Sequence, residues 1–118
     1  ILNTFGVRPE LVTLAQPRAG NKALANYIME NIPHRYRFVN KQDIVPHLPP
    51  TFLNFHHFGP EIWERPDLSY TICMDGESNK CSNSNLWRTP KDHCNEYLDR
   101  VMCTCYWNHQ EDVVAEIA

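Results

Sequence analysis

The sequence has no apolar run approaching the roughly 18 residues of a membrane-spanning helix, so no transmembrane segment is expected. It has no excess of positive charge either: 11 Lys and Arg stand against 14 Asp and Glu, giving a net charge of −3, and the basic residues are scattered. Without a basic stripe, nucleic acid and anionic membrane surfaces are poor electrostatic partners. No N-x-[ST] glycosylation pattern, internal repeat or low-complexity tract occurs. No Ser lies in a G-x-S-x-G turn; Ser69, Ser78, Ser82 and Ser84 all stand in other contexts. The opening "ILNTFGVRPE" has neither an initiator Met nor a basic segment leading into an apolar one. It does not have the form of a signal peptide and reads as the middle of a longer polypeptide, with room for a targeting segment upstream.

What remains is one domain's worth of chain, 118 residues, with five cysteines. That cysteine density favours an oxidising compartment. An odd number leaves at least one thiol free or bonded to another polypeptide, with Cys94, Cys103 and Cys105 as the candidates.

"ILNTFG" reads as the end of a helix stopped by Gly6, and "ELVTLA" (10–15) as a short buried strand. After the loop "QPRAGN" the period changes. Ala23, Leu24, Tyr27 and Ile28 fall on one helical face, with Asn21 as N-cap and an end near Asn31, before Pro33. "RYRFVN" (35–40) alternates as a strand, with Tyr36 and Phe38 facing one way. Helix, strand, helix, strand in this order implies parallel strands joined by a crossover. Further on, "FHHFGPEIW" (55–63) is expected as a strand bent around Gly59 and Pro60, and "CMDGESNKCSNSN" as a polar loop. "DHCNEYLDRVMC" is expected to begin a helix, and 106–118 to form a short helix or a loose tail.

In sheets of this kind, functional groups gather at the carboxyl ends of strands. Asp43 lies there, in "NKQDIVPHLPP", and Pro46, Pro49 and Pro50 behind it remove backbone freedom. Read alone, Asp43 serves equally well as a loop acid bonded to nearby backbone N–H groups. His93, 50 residues later at the mouth of the last expected helix, stands to Asp43 in the order Asp…His of α/β-hydrolase triads. A buried carboxylate that accepts Nδ1–H of an imidazole leaves Nε2 to take a serine proton, and it stabilises the imidazolium that follows. Read alone, His93 also fits a capping or surface position. No serine here is placed to be that nucleophile. Cys94 is a poor substitute beside His93, because adjacent helical residues point about 100° apart.

The blocks "LVTLAQPRAGNKALANYI", "YRFVNKQDIVPHLPP", "FHHFGPEIW", "CSNSN" and "DHCNEYL" resemble, in order from about Leu11 to Leu98, the C-terminal half of the class 3 lipases. The resemblance implies an α/β-hydrolase fold with mostly parallel strands and crossover helices. It makes 1–118 the C-terminal part of one lipase domain. Asp43 then matches the triad acid and His93 the triad base; Val45, Leu48 and Pro49 match the acyl-chain side of the cleft. His57, Gly59, Glu61 and Trp63 match a structural strand motif, and Cys73 and Cys81 match a family disulfide. Ala15 stands where the family usually has Gly, and Pro90, Lys91 and Cys94 depart from its apolar pattern around the base, so acyl-chain length stays open. The implied partners are an ester or lipid substrate, a transient lipid interface, and an N-terminal segment carrying the nucleophilic Ser. The expected setting is extracellular, without cofactor or metal. An isolated half of this kind would leave a parallel strand with an open edge.

Two other readings are weighed against this one. Cys94, Cys103, Cys105, His93 and His109 offer zinc-type ligands, although C-x-C is an uncommon first pair for zinc. A lipase-like module that binds lipid or protein without activity is the second. His34, His56 and His57 read as packing or strand-end residues, and Arg18 as a structural ion-pair partner.

Overall fold

Val12 and Thr13 give "ELVTL" the β-branched character of a strand. In the computed structural model, which describes residues 2–94, 96–97 and 100–101, Glu10–Leu14 forms β1. A 3-10 turn, Leu2–Phe5, precedes it and ends at Gly6, whose φ of +72° is the left-handed conformation that favours glycine. Helix α1, Lys22–Asn31, begins where the Asn21 side chain accepts the N–H of Leu24 at 3.0 Å, as the N-cap expectation requires. It returns the chain to β2, His34–Asn40, which pairs with β1 in parallel from Glu10 opposite His34 to Leu14 opposite Phe38.

β3, Glu61–Glu64, adds to the other side of β2 in parallel, and β4, Tyr70–Cys73, closes the sheet antiparallel to β3. The order is β1-β2-β3-β4. The helix α2, Lys91–Cys94, is a single turn, followed by a two-stranded pair of β5, Glu96–Tyr97, and β6, Arg100–Val101.

The apolar centre is small: Val39 of β2, Trp63 of β3 and the cystine of Cys73 and Cys81. Beside it lies an ion pair. Arg37 and Glu61 stand opposite each other in the β2–β3 register and meet at 2.9 Å, both buried. Arg37 also donates to the Phe58 and Gly76 carbonyls, while Glu61 accepts the Ser82 N–H at 2.9 Å. Each charge is thus paired and further hydrogen-bonded, the condition for a buried pair to persist.

Four expectations change. Residues 55–60 are not a strand; β3 starts at Glu61, after Pro60, which has no N–H for a ladder. The backbone before it is bonded to side chains instead: His57 N–H to Glu77, and the Phe58 carbonyl to Arg37. Gly59 is required there because a Cβ would come within 1.9 Å of the Met74 carbonyl oxygen. Second, β4 runs where no strand was foreseen, leading into the expected polar loop, with Tyr70 and Ile72 on an exposed face. Third, the helix expected from Asp92 onward stops at Cys94, because the buried packing of Tyr97 holds the next segment extended, and such contacts override helix propensity. Fourth, α1 buries Ala25 rather than the face of Leu24 and Tyr27, which stays exposed. The tail at 106–118 lies outside the described residues.

Candidate active site

Asp43 follows β2 by three residues, past a turn in which Lys41 takes a φ of +41°. Its backbone N–H is bonded to the Asn40 carbonyl at 2.9 Å, and its own position forms a parallel bridge with Thr89. The carboxylate is wholly buried, at 0% exposure. Oδ1 accepts the Val45 N–H at 2.8 Å, which ties the acid to the first residue of the 3-10 turn Val45–His47. Pro46 in that turn supplies a preset φ. Asp43 therefore does bond local backbone, as a loop acid would, but only through one oxygen.

The other oxygen faces α2. Nδ1 of His93 lies 3.0 Å from Oδ2, across 50 residues of chain. His93 keeps 33% of its side chain exposed, so the pair has one buried and one accessible member. The approach is made by Asp92: its carboxylate accepts the Gln42 N–H at 3.0 Å, and its carbonyl accepts the Asn40 amide at 3.0 Å. Thr89 reinforces this by donating its N–H to the Gln42 carbonyl at 2.8 Å and accepting the Lys91 N–H on its hydroxyl at 3.0 Å. The sequence puts Asp92 at the start of the helix expected from "DHCNEYL", directly before His93, and that position is the one signal it offers for this role. Tyr97, buried on β5, donates its hydroxyl to the same Oδ2 of Asp43. No sequence pattern pointed to it.

Val45 is half-buried on the turn fixed by Asp43, Leu48 is exposed, and Pro49 is half-buried. The segment that carries them is clamped from below by Arg18. The backbone N–H of Arg18 donates to the Leu48 carbonyl at 2.8 Å, and its guanidinium to the His47 and Pro49 carbonyls at 2.7 and 3.0 Å. The same guanidinium makes a two-point ion pair with Glu77, 2.8 Å on each side, the fork geometry in which Arg binds carboxylate best. Burial by itself would push the Glu77 carboxyl up. The Arg18 bond, with the His57 N–H and the Asn83 amide, overcomes that and holds it at about 2. Arg18 is thus the structural ion-pair partner expected.

His57 reaches the Pro46 carbonyl through Nε2 at 2.6 Å, which requires that nitrogen to donate. Burial first, and Arg37 second, hold its pKa at about 3; burial, then Arg88, hold His47 at about 4. Both rings are neutral packing groups. Trp63 donates its indole N–H to the Lys41 carbonyl at 2.8 Å and so steadies the turn before Asp43. Ala15 adopts a φ of +54°, a conformation that favours glycine, the residue that the resemblance leads one to expect there.

Cys73 and Cys81 form the disulfide implied by the resemblance. Cys94 is also disulfide-bonded, which removes it as a thiolate nucleophile or zinc ligand and as a thiol left for another chain. Cys103, Cys105 and His109 lie outside the described residues. Among the serines, Ser69 donates to Asp67 and Ser84 to the Cys81 carbonyl, Ser78 accepts the Lys80 N–H, and the buried Ser82 gives its N–H to Glu61. No helix among the described residues is long and apolar enough to cross a membrane.

Residues 3–53 match the family model described as Lipase (class 3). The lipase of Rhizomucor miehei is 40% identical over 100 residues, an alignment covering 80% of this chain and 27% of that protein. Its propeptide complex superposes with a TM-score of 0.72 at 37% identity, over 81% of this chain and 32% of that one. Secreted mono- and diacylglycerol lipase 1 of Fusarium solani is 37% identical over 63% of this chain and 24% of its own length. A triacylglycerol lipase whose catalytic centre is described as a serine protease triad superposes with a TM-score of 0.65 at 40% identity, over 73% of this chain and 34% of that one. The chain spans about a quarter to a third of the length of these relatives.

Proposed function

This chain belongs to the class 3 lipases, and from that premise we propose that it supplies the acid and the base of a Ser-His-Asp triad for hydrolysis of lipid esters. Its sheet is part of an α/β-hydrolase fold. The observation that carries the reading is the contact of His93 Nδ1 with Oδ2 of a fully buried Asp43.

The chemistry follows from that contact. A serine hydroxyl attacks the ester carbonyl carbon while Nε2 of His93 takes its proton. The imidazolium, held against Asp43, returns the proton to the departing alcohol, leaving an acyl-serine. Water then repeats the sequence: His93 removes its proton, and the carboxylic acid leaves as the serine is reprotonated. Asp43 keeps the proton on Nδ1, so that Nε2 is always the basic nitrogen.

The serine is contributed by a segment N-terminal to this one, and this chain is the C-terminal part of the lipase domain. Val45, Leu48 and Pro49, clamped directly behind the acid, form the acyl-chain side of the cleft. Glycerides at a lipid–water interface are the substrate class, and the setting is extracellular, in keeping with the disulfides and with relatives named as secreted.

The test uses the complete polypeptide that carries this segment. A fluorophosphonate probe is expected to label a serine outside residues 1–118, and Asp43→Asn to lower turnover of an emulsified triglyceride by about four orders of magnitude. Full turnover in Asp43→Asn, or a label within this chain, overturns the assignment. An unlabelled, inert protein that still binds lipid would instead mark a non-catalytic module.

A further inference from the structure

Consecutive carbonyls from Pro46 to Pro49 run along the segment behind the acid, and each accepts a donor from outside it. His57 Nε2 donates to Pro46 at 2.6 Å and the Arg18 backbone N–H to Leu48 at 2.8 Å. The Arg18 guanidinium donates to His47 at 2.7 Å and to Pro49 at 3.0 Å. Both residues are held in turn by one carboxylate. Glu77 takes Arg18 Nε and the His57 backbone N–H on Oε1, and Arg18 Nη2 on Oε2, all at 2.8 Å. Asn83 donates to the same Oε2 at 3.1 Å, and its side chain is also bonded to the His47 ring. We propose that Glu77 is a positioning residue that sets acyl-chain selectivity by holding this wall of the cleft; this rests on the triad and cleft reading above.

The wall is gripped by its main chain, which leaves side chains available to a substrate. Leu48 is 47% exposed although its N–H and its carbonyl are both bonded. An apolar surface that keeps one shape gains contact with each added methylene of a chain laid along it. Glu77 can act as the fixed point because its own loop is held from several sides. Cys73 and Cys81 close the loop, and the Gly76 carbonyl accepts the buried Arg37 guanidinium at 3.0 Å. The packing there is tight: a Cβ on Gly76 would fall 2.4 Å from the His57 carbonyl oxygen. Glu77 itself touches no reacting group and acts through Arg18, His57 and Asn83. A neutral amide cannot take its place, because one side of it would present N–H groups to the guanidinium. With the grip released, Leu48 and Pro49 sample more positions, and the loss grows with the length of chain bound. An acetyl group has too few methylenes to register the change.

The experiment compares p-nitrophenyl acetate, butyrate and octanoate as soluble substrates of the complete polypeptide. Glu77→Gln is expected to raise KM for octanoate by about tenfold, the worth of a methylene or so in an apolar pocket. Its kcat, and its kcat/KM on acetate, are expected to stay near their original values, the pattern of lost ground-state binding. Glu77→Asp keeps the charge and is expected to restore part of the octanoate preference. Asn83→Ala loosens one side of the grip and is expected to shift the preference the same way by less; it decides the matter if the Gln variant does not fold. Glu61→Gln, which weakens the fold away from this wall, is the control and is expected to leave the octanoate-to-acetate ratio unchanged. Should it move that ratio as far as Glu77→Gln does, the effect is one of stability and the inference falls. An equal loss on all three esters in Glu77→Gln, or an unchanged ratio, overturns it as well. Asp43→Asn is run beside these: if it keeps activity, the triad reading falls and this inference with it. If it loses activity while the Glu77 and Asn83 variants keep the original ratio, only this inference fails.

Discussion

Asp43 divides its two oxygens between tasks: one is bound to the backbone that follows it, the other to side chains that arrive from α2 and β5. The proline-rich segment behind it is therefore a brace. Its carbonyls at His47, Leu48 and Pro49 are all bonded to Arg18, and the Pro46 carbonyl to His57. Asp92 is the matching device on the other partner. It carries no reacting group, yet its carboxylate and carbonyl are what hold the α2 turn to the end of β2. Asp92→Ala leaves the Gln42 N–H without its acceptor, at a cost of about 1–3 kcal/mol. If His93 drifts with the released turn, turnover falls by about tenfold to a hundredfold while KM changes little. Steady-state kinetics of this variant check the point: unchanged kcat would mean that the bond from the Asn40 amide to the backbone carbonyl of residue 92 and the Thr89 bonds are enough to secure the turn.

At the scale of elements, β2 and β3 are joined by more than their ladder, because the Arg37–Glu61 pair crosses it in register. Glu61 then reaches Ser82, so the pair also anchors the loop closed by Cys73 and Cys81. That short cystine loop stabilises by about 2–3 kcal/mol, chiefly by restricting the unfolded chain. Glu61→Gln keeps the shape but strands a buried guanidinium, and breaking such a pair from one side costs about 3–5 kcal/mol. The denaturant midpoint of the complete polypeptide measures it. A loss below about 1 kcal/mol would show that the Phe58 and Gly76 carbonyls suffice for Arg37. The elements were partly legible beforehand. β1, α1 with its Asn21 cap, and β2 follow from period and capping, which are local properties of the chain. The segment at 55–60 was not, since what fixes it is the demand of Arg37 and Glu77 for its backbone groups. β4 and the one-turn α2 were missed for the same kind of reason: their extent depends on register with β3 and on the burial of Tyr97.

For the whole molecule, the buried charges and imidazoles make stability depend on pH in one direction. His47 and His57 have ordinary values of 6.5 but are held at about 4 and about 3 by burial. The unfolded chain therefore takes up protons on these rings before the folded one does. Their contribution is complete above 6.5 and is lost as the pH falls from there towards 4 and 3. Glu77, held at about 2 against an ordinary 4.5, adds a second decline once the pH drops below 4.5. Thermal or urea melts of the complete polypeptide at descending pH are expected to show a midpoint that is flat above 6.5 and falls progressively below it. A midpoint constant down to 4.5 would mean that neither ring is neutral in the folded state. The same molecule leaves Val12, Tyr36, Leu24 and Tyr27 exposed, and β1 has no neighbour on its outer side among the described residues. Parallel strands of this type are normally covered on both faces, which fits a chain that completes its fold against a further segment.

The sequence by itself determined the first strands and helix and the site of Asp43 behind its prolines, and its motif blocks carried the family resemblance, which in turn implied the pairing of Cys73 with Cys81. Each of these is written in local order: a period, a cap, a run of motif residues in register. Only the tertiary structure decided that Asp43 and His93 touch, that Asp92 holds them in reach, and that Tyr97 shares the acid. Those contacts join residues about 50 or more positions apart. Nothing in the spacing of a chain encodes a hydrogen bond between segments that meet only when the sheet has formed.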